Sequence, residues 1–404
     1  MGDATDTLPT GIQLTSLDPA YRNDAESVHA RLRAECPVHH DTQFGRYFLT
    51  SGKDIEAVLR DRKLFRDPDK ANPGTIVTLQ TQREGFIKSM LFLDDPDHGR
   101  LRSLVTKAFS QRSINDIAGH IGQVANDLLD AVEDRAIFDV ISDYASPLPI
   151  IIIAEILGVD PADRAKFIEW SGAADNAFNP LITPEQEAER LRSQNELHAY
   201  FERRISEHRD SPSDDLISAM IAAADGEHRL TDEEIVTTCH LLLVAGNVTT
   251  TDLIGNAVRL LIDHPDQRAA LLADPDLAAN MVEEVLRFDP PVTASTRTAP
   301  EDMEVGGVPV PKGEVMFTAL QSVGRDPALN EDAGRFDIAR SKPIHHAFGG
   351  GVHFCLGAQL ARAEARIAIP LLFQRFPDLA LVEAPERKIA PGFNGYGKLL
   401  VRKG

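Results

Sequence analysis

Cysteine is scarce: 404 residues contain only Cys36, Cys239 and Cys355, and no two of them have the spacing of a zinc knuckle. A disulfide framework is excluded, and the free thiols point to a reducing compartment. Basic residues are outnumbered, with 42 Lys+Arg against 62 Asp+Glu and a formal charge of −20. Non-specific binding to nucleic acid or to an anionic membrane is disfavoured, because both need basic stripes. Long hydrophobic runs are missing too. The longest aliphatic stretch surrounds Ile150–Ile153, is followed by Glu155, and falls far short of the roughly 20 residues of a spanning helix. The N-terminal MGDATDTLPTGIQL has neither a basic n-region nor an apolar h-region, so no secretory signal is expected. Internal repeats and Gly/Ser-rich linkers do not occur. The expectation is a cytoplasmic protein with no membrane or nucleic-acid partner.

Hydrophobic residues make up 43% and charged residues 26%, which suits a folded chain able to bury a cofactor. Helical periodicity dominates: Leu128, Leu129 and Val132, then Ile152, Ile153, Ile156 and Leu157, recur at the spacing of buried helix faces. Thr231-Asp232-Glu233-Glu234 has the form of a capping box opening a helix of about 30 residues that Pro265 closes. Shorter helices are predicted near Asn280–Phe288 and from Leu356, where Pro370 should end or kink the run. Strand signals are few: Arg46–Thr50, Thr296–Thr298, Met303–Val310 around Gly306-Gly307, Val315–Ala319 and Leu399–Val401. The fold class is mainly α with a small β region.

The most informative segment is Phe348-Gly349-Gly350-Gly351-Val352-His353-Phe354-Cys355-Leu356-Gly357. Glycines let backbone approach something flat, and a thiol at a helix N-terminus meets free N–H groups that favour thiolate. One thiolate with no partner at chelate spacing is a poor zinc site but suits axial ligation of haem iron. Cys36 and Cys239, lacking such surroundings, read as ordinary buried thiols.

Phe348, Gly351, His353, Cys355 and Gly357 match the haem loop Phe-x-x-Gly-x-His-x-Cys-x-Gly, and the chain resembles the cytochrome P450 family over most of its length. That resemblance implies a single haem domain over residues 1–404, with an α-rich lobe, a small β lobe and a long central helix over the haem. It implies haem b (iron protoporphyrin IX), with Cys355 as the iron ligand and His353 at a propionate. Glu284, Arg287 and Arg340 match the family's structural Glu/Arg/Arg triad. His98 and Arg102 match a His-x-x-x-Arg pair, and with Arg297 they would gather around the propionates.

In Ala245-Gly246-Asn247-Val248-Thr249-Thr250-Thr251, mid-helix hydroxyls beside Gly246 invite a local distortion. Thr249 aligns with the family's proton-delivering threonine, but Val248 stands where the family has an acid. Asp252 lies about one turn on. The resemblance places Leu242, Val244, Ala245, Val248, Val292, Ala294 and Phe393 around the substrate, an apolar lining suited to a medium-sized hydrophobic molecule. Phe167, Trp170 and Phe178 are candidates for the lid.

It further implies a monomeric monooxygenase that uses O2 and draws electrons from an acidic iron–sulfur ferredoxin served by a flavin reductase. No fused reductase is expected. Val248 keeps open another reaction type, peroxide-driven oxidation or oxidative coupling. His98 to Arg112 contains Arg100, Arg102, Lys107 and Arg112 and no carboxylate, and Arg362 and Arg366 follow the cysteine. These residues form the expected docking patch for an acidic partner.

Overall fold

The protein, seen in a computed structural model, is described over residues 8–175, 181–223 and 230–404. Helices dominate, and the longest, Asp232–Asp263, is the expected central one. Its capping box is formed: Thr231 N–H donates to the Glu234 carboxylate at 2.8 Å, and Glu234 N–H donates to the Thr231 hydroxyl at 3.1 Å. At 1.5 Å per residue the helix is about 48 Å long, enough to cross the α-rich lobe. Among the described residues it is the one helix long and apolar enough to cross a membrane, and 72% of its apolar window is buried inside the protein. Helices Pro147–Leu157, Pro184–Asp210 and Ala358–Arg375 pack around it.

Helix Ala358–Arg375 runs on through Pro370, so of the expected end or kink the end does not occur. An interior proline costs about 3 kcal/mol, and each large apolar side chain buried beside it returns about 1.5–3 kcal/mol. Ile369, Leu372 and Phe373 are fully buried around it, so packing decides the outcome.

The β lobe holds a four-stranded sheet in the order Val38–Asp41, Arg46–Leu49, Val315–Ala319, Ala294–Thr298, with its central pair parallel and its outer pairs antiparallel. Ile137–Asp139, Leu400–Arg402 and Ala380–Leu381 make a second sheet. The hairpin Met303–Val305 to Val308–Val310 turns on Gly306 and Gly307, both at positive φ. The strands not anticipated from sequence, Val38–Asp41, Ile137–Asp139 and Ala380–Leu381, span two to four residues, too short for a period-two pattern to register.

Helix Ala278–Phe288 joins the central helix to the segment that leads to Cys355. Arg287 Nε and Nη2 each donate to one Glu284 oxygen at 2.7 Å, and both side chains are 0% exposed. Arg340 Nε reaches Glu284 Oε2 at 3.1 Å, and the Asp337 N–H donates to Oε1 at 2.8 Å. The remaining Arg287 donors go to the carbonyls of Gly324, Ala333 and Arg335 at 2.7–2.8 Å. Gly324 has to be glycine, because a Cβ there would lie 1.9 Å from the Arg287 carbonyl oxygen. One buried ion pair thus pins the turn-rich stretch after Ala319. Glu284→Ala, which strands a buried guanidinium, should cost about 3–5 kcal/mol in thermal or denaturant unfolding. Glu56→Ala, which breaks the exposed Arg60–Glu56 pair, should stay within about 1 kcal/mol of the parent.

Candidate functional site

Two contacts shape the cysteine loop. Gly351 has φ +65°, and a Cβ on it would sit 2.2 Å from the Leu59 carbonyl oxygen. This glycine lets the loop press onto helix Gly52–Arg60, rather than onto a flat ligand. Gly357 behaves differently: apart from its two chain neighbours, no protein atom lies within 4 Å of its virtual Cβ, so the missing side chain leaves room beside the thiol. Cys355 N–H donates to Phe348 O at 2.9 Å, fixing the sulfur two residues before the N-cap Gly357 of helix Ala358–Arg375. The Cys355 side chain is accessible, but to a space enclosed by protein, so burial pushes its thiol up while the Gly357 N–H, Arg102 and Arg362 pull it down. Arg362 stacks 4.4 Å from the Phe348 ring centre. Cys239 is sealed in the core, and Cys36 sits with Sγ 3.6 Å from the Val38 carbonyl oxygen.

Around this loop the structure gathers cations. His98, on helix Asp97–Thr106, is buried with its ring centre 4.1 Å from that of His353. Arg102 Nη2 donates to Phe354 O at 2.6 Å, and Arg297, also buried, points Nη2 to Gly350 O at 3.4 Å. Arg66 joins them, a residue the sequence did not single out. It stands alone in Phe65-Arg66-Asp67-Pro68, and only the fold brings it beside Arg297. Desolvation first, then His98, Arg66, Arg297 and Arg102, drive His353 down to about 2. Burial lowers Arg297 to about 10 and Arg66 to about 9, with Asp94 opposing in both cases. Clustered buried cations are costly unless an anion joins them. The donor set therefore fits a flat group carrying two carboxylates, as haem does.

On the central helix, Ala245 is exposed and Val244 and Thr249 are half-buried although the helix runs through the core, so these residues face an internal space. Thr249 Oγ1 donates to Ala245 O at 2.8 Å, four residues back, and the helix is unbroken where a distortion was expected. The back-bond satisfies the hydroxyl without opening the ladder. Leu242 and Val248 lie on the same helix face at three- and four-residue spacing from Val244 and Ala245, and they are buried, at 8% and 2% exposed. Val292, Ala294 and Phe393 are half-buried, and a β-bridge joins Val292 to Phe393. Phe167 and Trp170 belong to the core, Trp170 Nε1 donating to Glu196 at 2.9 Å, and Phe178 lies outside the described residues.

Asp252 is buried and meets Lys388 Nζ at 2.8 Å, against Gly395, so its carboxylate serves the C-terminal segment. A second carboxyl was missed from the sequence. Glu364, on helix Ala358–Arg375, is buried, hydrogen-bonds with Thr250 and is pushed up to about 8 by desolvation. Its signal was its place between Leu360 and Ala368 on one buried stripe at i, i+4 spacing. The basic patch is also smaller than expected. Arg100 pairs with Glu234 at 2.5 Å and Arg362 with Glu283 at 2.6 Å, carboxylates supplied by distant helices. Lys107, Arg112 and Arg366 stay exposed, with no ion pair among the described residues.

A sequence model of the family described as Cytochrome P450 matches residues 167–393. Cytochrome P450 107B1 of Saccharopolyspora erythraea is 37% identical over 403 residues, covering 97% of this chain and 98% of its own. The 6-deoxyerythronolide B hydroxylase of the same organism is 35% identical, covering 90% of this chain and 91% of its own. The solved structure of myxobacterial cytochrome P450 CYP267B1 in complex with myristic acid superposes with a TM-score of 0.87 at 35% identity, over 96% of this chain and 98% of that one.

Glu364 also sets a pH dependence. Its folded-state value lies above the ordinary carboxyl range, so between about pH 4.5 and 8 the native state holds a proton that the unfolded chain has lost. Its contribution to stability is present below that window and lost as pH rises through about 8. Glu364→Gln should remove the dependence and gain a few kcal/mol near pH 8, measured by urea unfolding at pH 5 and pH 8.

Proposed function

The chain belongs to the cytochrome P450 family, and from that premise we propose that it inserts one atom of O2 into a medium-sized hydrophobic molecule by hydroxylation or epoxidation. As a cytochrome P450 monooxygenase it uses haem held by an axial cysteine thiolate. In this reading Cys355 is that ligand, and the electrons come from a separate acidic iron–sulfur ferredoxin with its flavin reductase. The observation that carries it is the set of His98, His353, Arg102 and Arg297 gathered around an accessible thiol inside the protein. The chemistry supplied by the cofactor is O2 activation, which thiolate donation promotes by favouring O–O cleavage.

The protein's own residues do the rest. His98, Arg102, Arg297 and His353 hold the propionates, while Phe348 and Gly357 shape the sulfur side. Thr249 places a proton from its hydroxyl. Val248, apolar and packed in the core, supplies none, and Glu364, neutral up to about pH 8 and bonded to the neighbouring Thr250, stores one. Val244, Ala245, Val292, Ala294 and Phe393 present modest apolar surfaces to the substrate. Relatives whose names record a hydroxylated 6-deoxyerythronolide B and a bound myristic acid fit that lining. The chain works in the cytoplasm as a monomer and as one haem domain over residues 1–404, and Lys107, Arg112 and Arg366 offer the ferredoxin its docking charges.

The apolar Val248 favours a second reading, oxidation driven by peroxide. One set of turnover measurements separates the two. Ferredoxin-driven turnover should proceed, fall steeply with salt, and yield roughly tenfold less product per reductant in Thr249→Ala, with oxygen consumption continuing. Turnover driven by peroxide but not by ferredoxin would overturn the proposal in favour of the second reading. Ferredoxin-driven rates that ignore salt would remove the docking patch.

A further inference from the structure

Arg66 and Arg297 are held against each other by shared acceptors. Arg66 Nη1 donates to Thr296 O and Arg297 Nη1 donates to the same oxygen, at 3.0 and 2.8 Å. Both also reach Ser295 Oγ, at 3.0 and 3.2 Å. Two guanidiniums on the same pair of oxygens lie within a few ångströms of one another, in a desolvated place where like charges repel strongly. The nearby Asp94 carboxylate is engaged elsewhere: its oxygens accept the backbone N–H groups of Arg66 at 2.7 Å and Asp67 at 3.2 Å. Arg66 Nε reaches Leu91 O at 3.3 Å, and Thr296 Oγ1 accepts from Nη1 at 3.0 Å. Its Nη2 makes no hydrogen bond among the described residues. Such a pair is stable only when an anion with two acceptor oxygens completes it, and a carboxylate matches the guanidinium fork.

We propose that Arg66 is a haem-propionate ligand in this protein, acting with Arg297 as a two-guanidinium clamp on one carboxylate. This rests on the cytochrome P450 reading and adds a cation that the sequence motifs do not contain. Two consequences follow. The clamp slows loss of haem, and its charge near the iron favours the reduced state.

The test uses purified holoenzyme. Transfer of haem to excess haem-free myoglobin and the ferric/ferrous reduction potential are measured for the parent, Arg66→Gln and Arg66→Lys. Losing one charge-assisted hydrogen bond should speed haem loss about tenfold or more in Arg66→Gln and lower its potential. Arg66→Lys keeps the charge and should lie near the parent in potential and within several-fold in haem loss. Parent-like haem loss and potential in Arg66→Gln would overturn the proposal. So would equal damage in Arg66→Lys, which would mark the loss as one of packing rather than charge. A carboxylate could also come from a substrate. If Arg66→Gln weakens binding of tetradecanoate but leaves haem loss and potential unchanged, the clamp serves that source and the proposal fails. The spectrum of the reduced, carbon monoxide-bound protein reports the thiolate ligand independently of Arg66, so failure of the family-based reading would be seen separately.

Discussion

The buried Glu284–Arg287 pair is the interaction on which the rest of the structure depends. Helix Ala278–Phe288 could pack through Met281, Val282, Val285 and Leu286 alone, yet it places two opposite charges in full burial. Their desolvation is offset because every oxygen and most donors are used, including carbonyls from the turn-rich segment that follows the β lobe. That segment has little regular structure and buries few large side chains of its own. Besides the pair, its path to Phe348 and Cys355 is held by Asn280, Gln267 and Asn330 and by the buried Phe336 and Ile338. A buried ion pair adds little net stability against a hydrophobic alternative, but it specifies one geometry, and here the geometry positions the thiol.

A second constraint runs the other way. Around the cysteine loop the fold concentrates positive charge that its own carboxylates do not balance. Asp94 spends its oxygens on backbone N–H groups, and Asp95 reaches His98 only at 3.7 Å. Elsewhere the protein does pair its cations closely, as with Arg100 and Glu234 or Arg362 and Glu283. The imbalance is therefore local and chemical, and it makes the cofactor part of the structure's charge balance. Binding of a dianionic group stabilises the folded chain by the amount the cluster costs without it. The net charge of −20 is compatible with this cationic interior, because whole-chain charge carries no information about how charges are distributed.

The sequence made the architecture legible wherever period and capping were strong. The capping box at Thr231, the central helix and the cysteine loop carry short-range patterns, whereas the triad, with Arg340 56 residues from Glu284, was legible only through the family resemblance. Burial of long-range origin was not legible. Pro370 signals a break, but the core around it is too well packed for the helix to stop. Val248 and Leu242 share the helix face of Val244 and Ala245, yet they are buried where Ala245 is exposed, a difference the helix period does not show. Arg66 has no local signature, because its partners lie on a strand far along the chain, and the i, i+4 stripe that carries Glu364 does not reveal the desolvation that raises its pKa. In the basic stretch from His98 to Arg112, Arg100 looked unopposed because its close carboxylate, Glu234, sits on a helix well over a hundred residues later.

The central claim is that Cys355 binds iron as a thiolate in a pocket made for haem. The absorption spectrum of the reduced, carbon monoxide-bound holoprotein tests it most directly, compared between the parent and Cys355→His. The account predicts the strongly red-shifted Soret band of thiolate ligation in the parent. It predicts loss of that band in the variant while haem remains bound through the cationic cluster. An unshifted band in the parent, or an identical red-shifted band in Cys355→His, would contradict it.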